Sequence, residues 1–361
     1  MSEVHVNKRG KNVNFALSLT LVLGVAITWV AATQFSKSTY RPKVSAPFFT
    51  EYFSTIMCML NFPILAIIAI FYPSNKSNTE ITTQNQKSSF LSKYLERLYY
   101  TFQECSTIFG LNSSKKKCFC MVIYFSVLYL LANYLYVFSL KYLNAGTVTA
   151  VFSSNIVMTY LLSLILLKDD FFFLPIISIV LSTAGAVLIV AGDDFNFGSI
   201  TGIVLVLSSA FFSAAYKVSF TKFAIENCKP FYGLFLLAWI GVSTCFFAWP
   251  IVAIFRITKV EQWSIETVAW GYQYGSALLG LTMNIVIAIA LVTVNPLMVA
   301  IGLAFGIPLS DAVDVIFRGQ KITLYKVSGS ALLLTSFILI ILPKRWQIKL
   351  KTMKTSVQNK D

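Results

Sequence analysis

The chain has 361 residues, of which 57% are hydrophobic, 15% are aromatic and only 12% are charged. A soluble domain carries about 25% charged residues, so this composition excludes an ordinary soluble protein. Apolar runs recur along the chain, and runs of about twenty residues suffice to cross a hydrocarbon core of roughly 30 Å as a helix. The composition therefore predicts an all-α membrane protein that crosses the bilayer several times.

The net charge is +14, from 29 Lys and Arg residues against 15 Asp and Glu residues. On a soluble fold such an excess would indicate nucleic-acid binding, but here the basic residues lie mainly in loops and tails. We interpret them as signals of membrane topology, and we expect no nucleic-acid partner.

Cysteine and histidine patterns exclude several kinds of chemistry. The six cysteines form no Cys-x-x-Cys pair, and the only histidine, His5, lies in the polar N-terminal tail. These patterns predict neither a zinc site nor a disulfide framework, and they leave no histidine for catalysis in the membrane. A GxxxxGK[ST] phosphate loop is also absent from the sequence. We therefore expect no enzymatic activity, no cofactor and no metal, and we expect any transport to be driven by gradients.

Ten spans are predicted along the chain. The first runs from about Val13 to Phe35, and its length and the lack of a small-residue cleavage site favour a helix over a signal peptide. The other nine are predicted at about 46–71, 118–140, 143–167, 171–192, 199–220, 230–255, 268–293, 295–317 and 321–343.

The distribution of basic residues predicts the orientation. An even number of spans puts both termini on one side, and cytosolic termini place 20 of the 29 Lys and Arg residues on the cytosolic side. The long polar loop 72–117 is then cytosolic, and its sequons at Asn75 and Asn112 should stay unmodified. We predict cytosolic termini, in either the plasma membrane or an endomembrane such as the Golgi.

Two sets of matches indicate an internal repeat. An offset of 151 residues aligns Asn133 with Asn284 and Asn144 with Asn295. Five spans per half is an odd number, so the second half must be antiparallel to the first, as in many secondary transporters. A further match pairs Phe62-Pro63-Ile64 with Trp249-Pro250-Ile251. The predicted organisation is a cytosolic N-tail at 1–11, five-span repeats at 12–192 and 199–343, and a basic cytosolic C-tail at 344–361.

Carboxylates inside the predicted spans are candidate functional residues. An ionisable side chain near the bilayer centre costs about 2.5–3.5 kcal/mol to insert, so it needs a partner, a water-filled cavity or an interface. Glu51 in span 2 either lines a cavity or faces the headgroups. Asp311 and Asp314 share one face of span 9 after Gly306-Ile307-Pro308, where glycine and proline should bend and break the helix.

Two roles are open for Asp311 and Asp314. Two neighbouring carboxylates beside a broken helix can form a cation or proton site, because their repulsion raises one pKa. Alternatively, both carboxylates cap the exit of the helix and pair with Arg318 or Lys321.

Buried amides and one lysine complete the candidate set. Asn133, Asn155 and Asn284 either hold helices together or line a cavity. Tyr216 and Lys217 end span 6, and the long stem of Lys217 is expected to carry its ammonium group to the cytosolic interface unless a carboxylate faces it.

An ordered set of short motifs resembles solute carrier family 35, subfamily F, over nearly the whole chain from span 2 onward. The resemblance implies the fold of the drug/metabolite transporter superfamily, with ten helices in two inverted halves around a central cavity and spans 5 and 10 at the periphery. One branch of the subfamily is regarded as thiamine transporters, and more distant relatives carry nucleotide sugars. Glu51 and Asp311 depart from the family pattern. The motifs are Ala46-Pro47-Phe48-Phe49, Ser153-Ser154-Asn155, Tyr160-Leu161-Leu162-Ser163, Lys168-Asp169, Tyr216-Lys217 with Lys222, Trp263, Trp270-Gly271, Leu281-Thr282-Met283-Asn284 and Gly306-Ile307-Pro308 with Asp314.

The leading hypothesis is a secondary transporter of a small polar or cationic metabolite, for which the resemblance suggests a thiamine-like cation. The main alternative is a nucleotide-sugar antiporter of the Golgi, whose phosphates would need Lys217 and Lys326. A channel or a non-transporting receptor is a lesser alternative. The expected partners are the lipid bilayer and a small-molecule substrate, and a coupling proton or ion and a homodimer are left open. The predicted translocation residues are Glu51, Asn133, Asn155, Tyr216, Lys217, Asn284, Asp311 and Asp314, with a helix break at Gly306 and Pro308.

Overall fold

A computed structural model describes residues 15–40, 45–71, 99, 115–166, 173–192, 197–223, 230–293, 296–319 and 323–341. Within these ranges the chain is helical apart from short connections and one isolated antiparallel bridge, between Ser45 and Gln262. The all-α prediction is therefore confirmed. The polar loop 72–117 and both predicted tails lie almost entirely outside the described residues.

Each predicted span coincides with one helix or with two consecutive helices. Among the described residues, four segments are long and apolar enough to cross a membrane alone, and a bent helix pair makes a fifth. The count of ten spans remains a prediction. The helices are α1 (Phe15–Ser38), α2 (Pro47–Met57), α3 (Asn61–Phe71), α4 (Lys115–Ser139), α5 (Ala145–Phe152), α6 (Asn155–Leu166), α7 (Phe173–Ala191), α8 (Phe197–Phe223), α9 (Pro230–Phe247), α10 (Trp249–Ile257), α11 (Trp270–Thr293), α12 (Pro296–Arg318) and α13 (Leu324–Ile341).

Three predicted spans each consist of two consecutive helices. A 3₁₀ turn at Cys58–Leu60 separates α2 from α3. Ser153 and Ser154 separate α5 from α6, and Ala248 separates α9 from α10, which meet at an angle of 45°. The sequence did not predict these interruptions.

Span 9 behaves differently from its prediction. The α12 helix runs from Pro296 through Arg318 without interruption, and Pro308 lies inside it. The predicted break at Gly306 and Pro308 is therefore wrong. Packing explains the difference, because Ile307 is fully buried against Ala150 and Leu333 and holds this part of the helix in place.

The helix pairings repeat between the two halves. Span 1 (α1) packs on spans 8 and 9 (α11 and α12), and span 6 (α8) packs in the same way on span 3 (α4) and on span 4 (α5 and α6). Spans 5 and 10 (α7 and α13) pack on each other, as do α2 and α9 of spans 2 and 7. Each pair in one half thus has an equivalent pair in the other half, in which both span numbers differ by five. This is the packing expected of two inverted copies.

Candidate functional site

Glu51 lies in a polar cluster inside the helix bundle, which we call the Glu51 cluster (Glu51, Thr55, Cys58, Tyr129, Asn133, Tyr216 and Asn284). The Glu51 side chain is buried, and its Oε1 accepts a hydrogen bond of 2.8 Å from the Thr55 hydroxyl, one turn later on α2. Among the described residues, no lysine or arginine pairs with this carboxylate. A buried carboxylate without a cationic partner indicates a functional site in a membrane protein.

Tyr129 on α4 joins the members of this cluster. Its hydroxyl interacts with the amide of Asn284 and the thiol of Cys58, and it is near enough to the carboxylate of Glu51 for an electrostatic interaction. Its ring meets the ring of Tyr216 edge-on, with centroids 5.7 Å apart. Sequence reasoning missed Tyr129, and the available signal was its position one helical turn before Asn133.

Asn133 and Asn284 make equivalent bonds in the two halves. Asn133 Nδ2 donates to the carbonyl of Tyr129 at 3.0 Å, and Asn284 Nδ2 donates to the carbonyl of Gly280 at 3.0 Å. Each amide is thus held by its own helix four residues back. The two residues were matched by the repeat offset, and their shared geometry supports that match.

Asn155 and Lys217 form a second interior contact. Nζ of Lys217, on α8, donates to Oδ1 of Asn155 at 2.5 Å. Asn155 begins α6, is buried, and its Nδ2 donates to the carbonyl of Ala210 at 2.8 Å. Helical side chains point toward the N-terminus of their own helix, so the Lys217 ammonium reaches the middle of span 4 rather than the interface. The expectation that Lys217 extends to the cytosolic surface is therefore wrong.

Asp314 lies at another place in the bundle and is surrounded by donors. Its Oδ1 accepts from Gln34 Nε2 at 2.8 Å, and its Oδ2 accepts from the backbone N–H of Gly146 at 2.7 Å. Arg318 Nε lies 3.4 Å from Oδ1, and the same guanidinium also contacts Gln34. The buried carboxylate therefore ties α1, the start of α5 and α12 together. This geometry favours the capping and ion-pair alternative over a cation site.

Asp311 lies beside Asp314 on the predicted common face. A Cβ atom on Gly146 would lie 2.0 Å from Oδ1 of Asp311, so the missing side chain of Gly146 leaves room for this carboxylate. The hydroxyl of Ser330 on α13 lies 3.4 Å from Oδ2 of Asp311. Both carboxylates thus meet the first turn of α5.

A third buried carboxylate, Glu261, lies at the same end of the bundle as Asp311 and Asp314. We call this end the Glu261 end. Here α1, α4, α10 and α12 end, and α2, α5 and α11 begin. Glu261 lies in the connection between α10 and α11 and accepts from the N–H groups of Phe48 at 2.5 Å and Phe49 at 3.2 Å, at the start of α2. Burial raises the pKa of Glu261 to about 7, and the two N–H bonds oppose this shift. No sequence pattern signals this contact, because the partners lie more than 200 residues apart.

Other contacts strengthen the Glu261 end. The backbones of Ser45 and Gln262 form two hydrogen bonds of 3.2 and 3.3 Å. The rings of Phe49 and Trp263 stack at 4.0 Å, and the Arg256 guanidinium lies 4.8 Å from the Trp263 ring centroid. Lys37 Nζ also donates to the carbonyls of Leu140 and Leu143. These contacts join helix ends and connections from both halves of the chain at the Glu261 end.

Within the part of the chain that the structure describes, no group of three or more His, Cys, Asp or Glu side chains is arranged to hold a metal ion. The buried polar residues are instead amides, hydroxyls, a lysine and carboxylates that face each other across helices. Such an arrangement in a helical, multi-pass membrane protein is typical of a transporter.

Comparisons with known proteins identify the family. Residues 105–191 match the EamA-like transporter family. Human solute carrier family 35 member F3 is 31% identical over 347 residues, which cover 94% of this chain and 76% of that protein. Mouse solute carrier family 35 member F4 is 31% identical over 337 residues, or 91% of this chain and 64% of that protein. The chain belongs to solute carrier family 35 and is a membrane transporter, not an enzyme.

Two more distant proteins extend this comparison. The thiamine-repressible mitochondrial transport protein THI74 of Saccharomyces cerevisiae is 24% identical over 354 residues, which cover 93% of this chain and 94% of that protein. A protein of known crystal structure shares the fold with a TM-score of 0.51 at 11% identity, covering 92% of this chain and 99% of that one. The fold is thus shared along nearly the whole chain.

Proposed function

We propose that this transporter is a secondary carrier that moves a small polar or cationic metabolite by alternating access, with a thiamine-like cation as the best candidate. The observation that carries the proposal is the Glu51 carboxylate, which is buried at 7% exposure and has the Thr55 hydroxyl as its hydrogen-bond partner. A cationic substrate would stabilise the ionised form of this carboxylate by pairing with it. The nearby rings of Tyr129 and Tyr216 suit a cationic or heteroaromatic ring.

One relative supports this substrate class. Yeast THI74 is named a thiamine-repressible mitochondrial transport protein. The name associates a protein of similar length with thiamine, and the chemistry of the Glu51 cluster agrees with a cation of that kind.

Alternating access assigns a role to the Glu261 end. In the proposed cycle, the repeats at 12–192 and 199–343 rock about the Glu51 cluster, and the contacts of Glu261 and Asp314 break when this end opens. With cytosolic termini, the Glu261 end faces away from the cytosol. An epitope inserted in the loop 72–117 should then be stained only after permeabilisation, and staining of intact cells would invert the orientation. In permeabilised cells, the same staining shows whether the protein lies in the plasma membrane or in the Golgi.

A nucleotide-sugar antiporter is the second candidate, and the contact of the Lys217 ammonium with Asn155 inside span 4 favours it. The other basic residue proposed for phosphate binding, Lys326, is buried near the first turn of α13, and its stem lies close to Gly192. Lys217 lies in the last third of α8. Because spans 6 and 10 run in the same direction, the two lysines lie at different depths and do not form one basic pocket.

The proposal is tested by uptake of labelled thiamine into proteoliposomes, with and without an imposed pH gradient. We expect saturable, gradient-dependent uptake that falls about 100-fold in Glu51→Gln, because the neutral amide cannot balance a buried cation. Glu266→Gln is the matched control, since Glu266 is an exposed carboxylate in the connection before α11. Unchanged uptake in a folded Glu51→Gln variant would contradict the role of Glu51. If only nucleotide sugars are transported, the second candidate replaces the first, and a conductance that does not saturate would indicate a channel.

A further inference from the structure

The Glu51 carboxylate has few hydrogen-bond donors around it. Its Oε1 accepts one bond, of 2.8 Å from the Thr55 hydroxyl, and no donor to Oε2 is found among the described residues. The side chain is only 7% exposed, so bulk water does not replace the missing donors. An ionised carboxylate offers about four acceptor positions. The structure therefore satisfies Glu51 much less than Asp314, which accepts two hydrogen bonds and pairs with Arg318.

The groups around Glu51 bring no positive charge to it. The titratable side chains that interact with Glu51 are the thiol of Cys58, on the same span, and the phenol of Tyr129, from α4. A thiol and a phenol in their usual forms are neutral at neutral pH. Helices α9, α10 and α11 also pack on α2, and within the described residues none of them places a charged side chain beside Glu51.

Such surroundings favour the protonated carboxyl group over the carboxylate. Burying an ionised carboxylate without a cation costs several kcal/mol, and the group avoids this cost by taking up a proton. A neutral carboxyl group also has fewer acceptor positions to fill, which agrees with the single hydrogen bond from Thr55. A proton therefore keeps Glu51 uncharged as long as no cation pairs with it.

We propose that Glu51 holds a proton in the substrate-free carrier and releases it when the cationic substrate binds. The carboxylate binds either the proton or the cation, because each of them neutralises its one negative charge. The O–H bond of Glu51 breaks, and the proton leaves to the side from which the cation enters. After the cation has left on the other side, the carboxylate takes up a proton from there. One proton thus crosses the membrane in the opposite direction to each monovalent cation, and no net charge moves. This inference rests on the proposed function, for which it names the coupling ion.

Infrared difference spectroscopy of the purified protein tests for this proton without any substrate. Near neutral pH, the wild-type spectrum minus that of Glu51→Gln should contain the carbonyl band of a protonated carboxyl group. Glu266→Gln is the matched control, because Glu266 is exposed and its difference spectrum should contain the bands of an ionised carboxylate. The proposal is overturned if Glu51 also gives only the bands of an ionised carboxylate.

Thiamine is the probe for the exchange itself, because it carries one positive charge near neutral pH. Its binding to the wild type should release about one proton per molecule bound, measured with a pH indicator in weak buffer, and its affinity should rise about tenfold from pH 6 to pH 7. Both effects should be lost in Glu51→Gln and kept in Glu51→Asp. Because the pKa of Glu261 is about 7, the same measurements are made on Glu261→Gln, which should still release the proton. Thiamine binding to the wild type without proton release overturns the proposal.

A transport assay then separates this inference from the proposed function. In wild-type proteoliposomes, an acidic lumen should drive accumulation of thiamine, and an imposed membrane potential should not, because the exchange moves no net charge. If a potential drives accumulation and a pH gradient does not, the carrier proposal stands and proton exchange at Glu51 is wrong. If thiamine is neither bound nor transported, the thiamine proposal fails, while the infrared bands still decide whether Glu51 holds a proton.

Discussion

The Glu261 end and the interior of the bundle use buried polar groups in opposite ways. At the Glu261 end, Asp314 accepts two hydrogen bonds and pairs with Arg318, and Glu261 accepts two backbone N–H groups. In the interior, Glu51 accepts one hydroxyl, and Ser154 Oγ has no partner among the described residues. A carboxylate whose oxygens are satisfied by the protein fixes helices, whereas one with spare capacity can bind a solute.

This difference changes which residues are expected to carry transport. Asp314 combines a family motif with an intramembrane position, yet its partners are α1, α5 and α12. Glu51 departs from the family pattern, yet it lies with Tyr129 and Asn284 in the interior. These contacts agree with a structural role for Asp314 and with our proposal that Glu51 binds the substrate, and the following experiments can separate the two roles.

The largest expected effect is a loss of stability in Asp314→Ala. Removing this buried carboxylate leaves the Gly146 N–H and the Arg318 guanidinium without their acceptor, which should cost about 3 kcal/mol in the free energy of unfolding. Denaturant titration in detergent measures the change. Arg318→Gln should cost less, because Arg318 is partly exposed. If Asp314 instead binds a cation, Asp314→Asn would abolish uptake with unchanged stability, and the comparison would fail.

The next effect is expected at Gly146, where α5 meets α12. An alanine Cβ would lie 2.0 Å from Oδ1 and 3.2 Å from Cα of Asp311, so the Asp311 carboxylate must rotate away and the backbone of α12 must shift by a few tenths of an ångström. We expect Gly146→Ala to lower the free energy of unfolding by about 2 kcal/mol. The matched control is Gly271→Ala near the start of α11, because a Cβ atom added there would meet nothing within 4 Å and no loss is expected. Equal stability of the two variants would show that this contact contributes little.

Spans 4 and 9 show how far the sequence predicts the fold. The positions of the helices follow from the apolar runs, since burial in lipid demands about twenty residues per crossing. Proline, however, predicted a break in span 9 that the packing of Ile307 prevents. Span 4 contains no proline near its middle and is nevertheless interrupted at Ser153 and Ser154. Local propensity is a weak guide where tertiary contacts decide the backbone.

Only part of the candidate site could be predicted from the sequence, because tertiary contacts also decide which side chains meet. Glu51, Asn133 and Asn284 were found from polarity inside apolar runs and from the repeat, and the structure brings them close to Tyr129. Glu261 was missed because its role depends on a contact with Phe48 across more than 200 residues. Lys217 was found but placed at the interface, because its direction depends on Asn155 in another span. A single sequence shows polarity, whereas side-chain direction and long-range pairing require the fold.

A smaller, pH-dependent effect is expected at Glu261. Burial raises its pKa from 4.5 to about 7, so the folded state disfavours the ionised form. This contribution to stability is fully present below about pH 4.5 and is lost as the pH rises through about 7. The equilibrium constant for unfolding of the wild type should therefore rise about tenfold, relative to that of Glu261→Gln, as the pH increases across this window. Tyr40, which also faces Glu261, does not titrate there, because its pKa is raised well above 10.

Melting temperatures of both proteins between pH 5 and pH 8 measure this change. Glu266→Gln serves as the control, since it removes an exposed carboxylate from the same connection. A wild type that gains stability relative to Glu261→Gln with rising pH would mean that the N–H bonds outweigh burial. In that case the ionised form of Glu261 would stabilise the contacts at the Glu261 end. The Glu261 end would then depend on a charged carboxylate.

The smallest effect is expected for the stack of Trp263 on Phe49. The ring centroids lie 4.0 Å apart with an interplanar angle of 22°, and such a pair contributes about 1 kcal/mol beyond its buried area. A double-mutant cycle with Trp263→Ala and Phe49→Leu should give a coupling free energy of about that size, measured by denaturant titration. Trp249→Ala is the control, because Trp249 is 57% exposed at the start of α10. If Trp263→Ala also accelerates substrate exchange while Trp249→Ala does not, the stack resists opening of the Glu261 end. A coupling free energy near zero would mean that the aromatic pair does not stabilise the Glu261 end and that the hydrogen bonds of Glu261 and Asp314 do so alone.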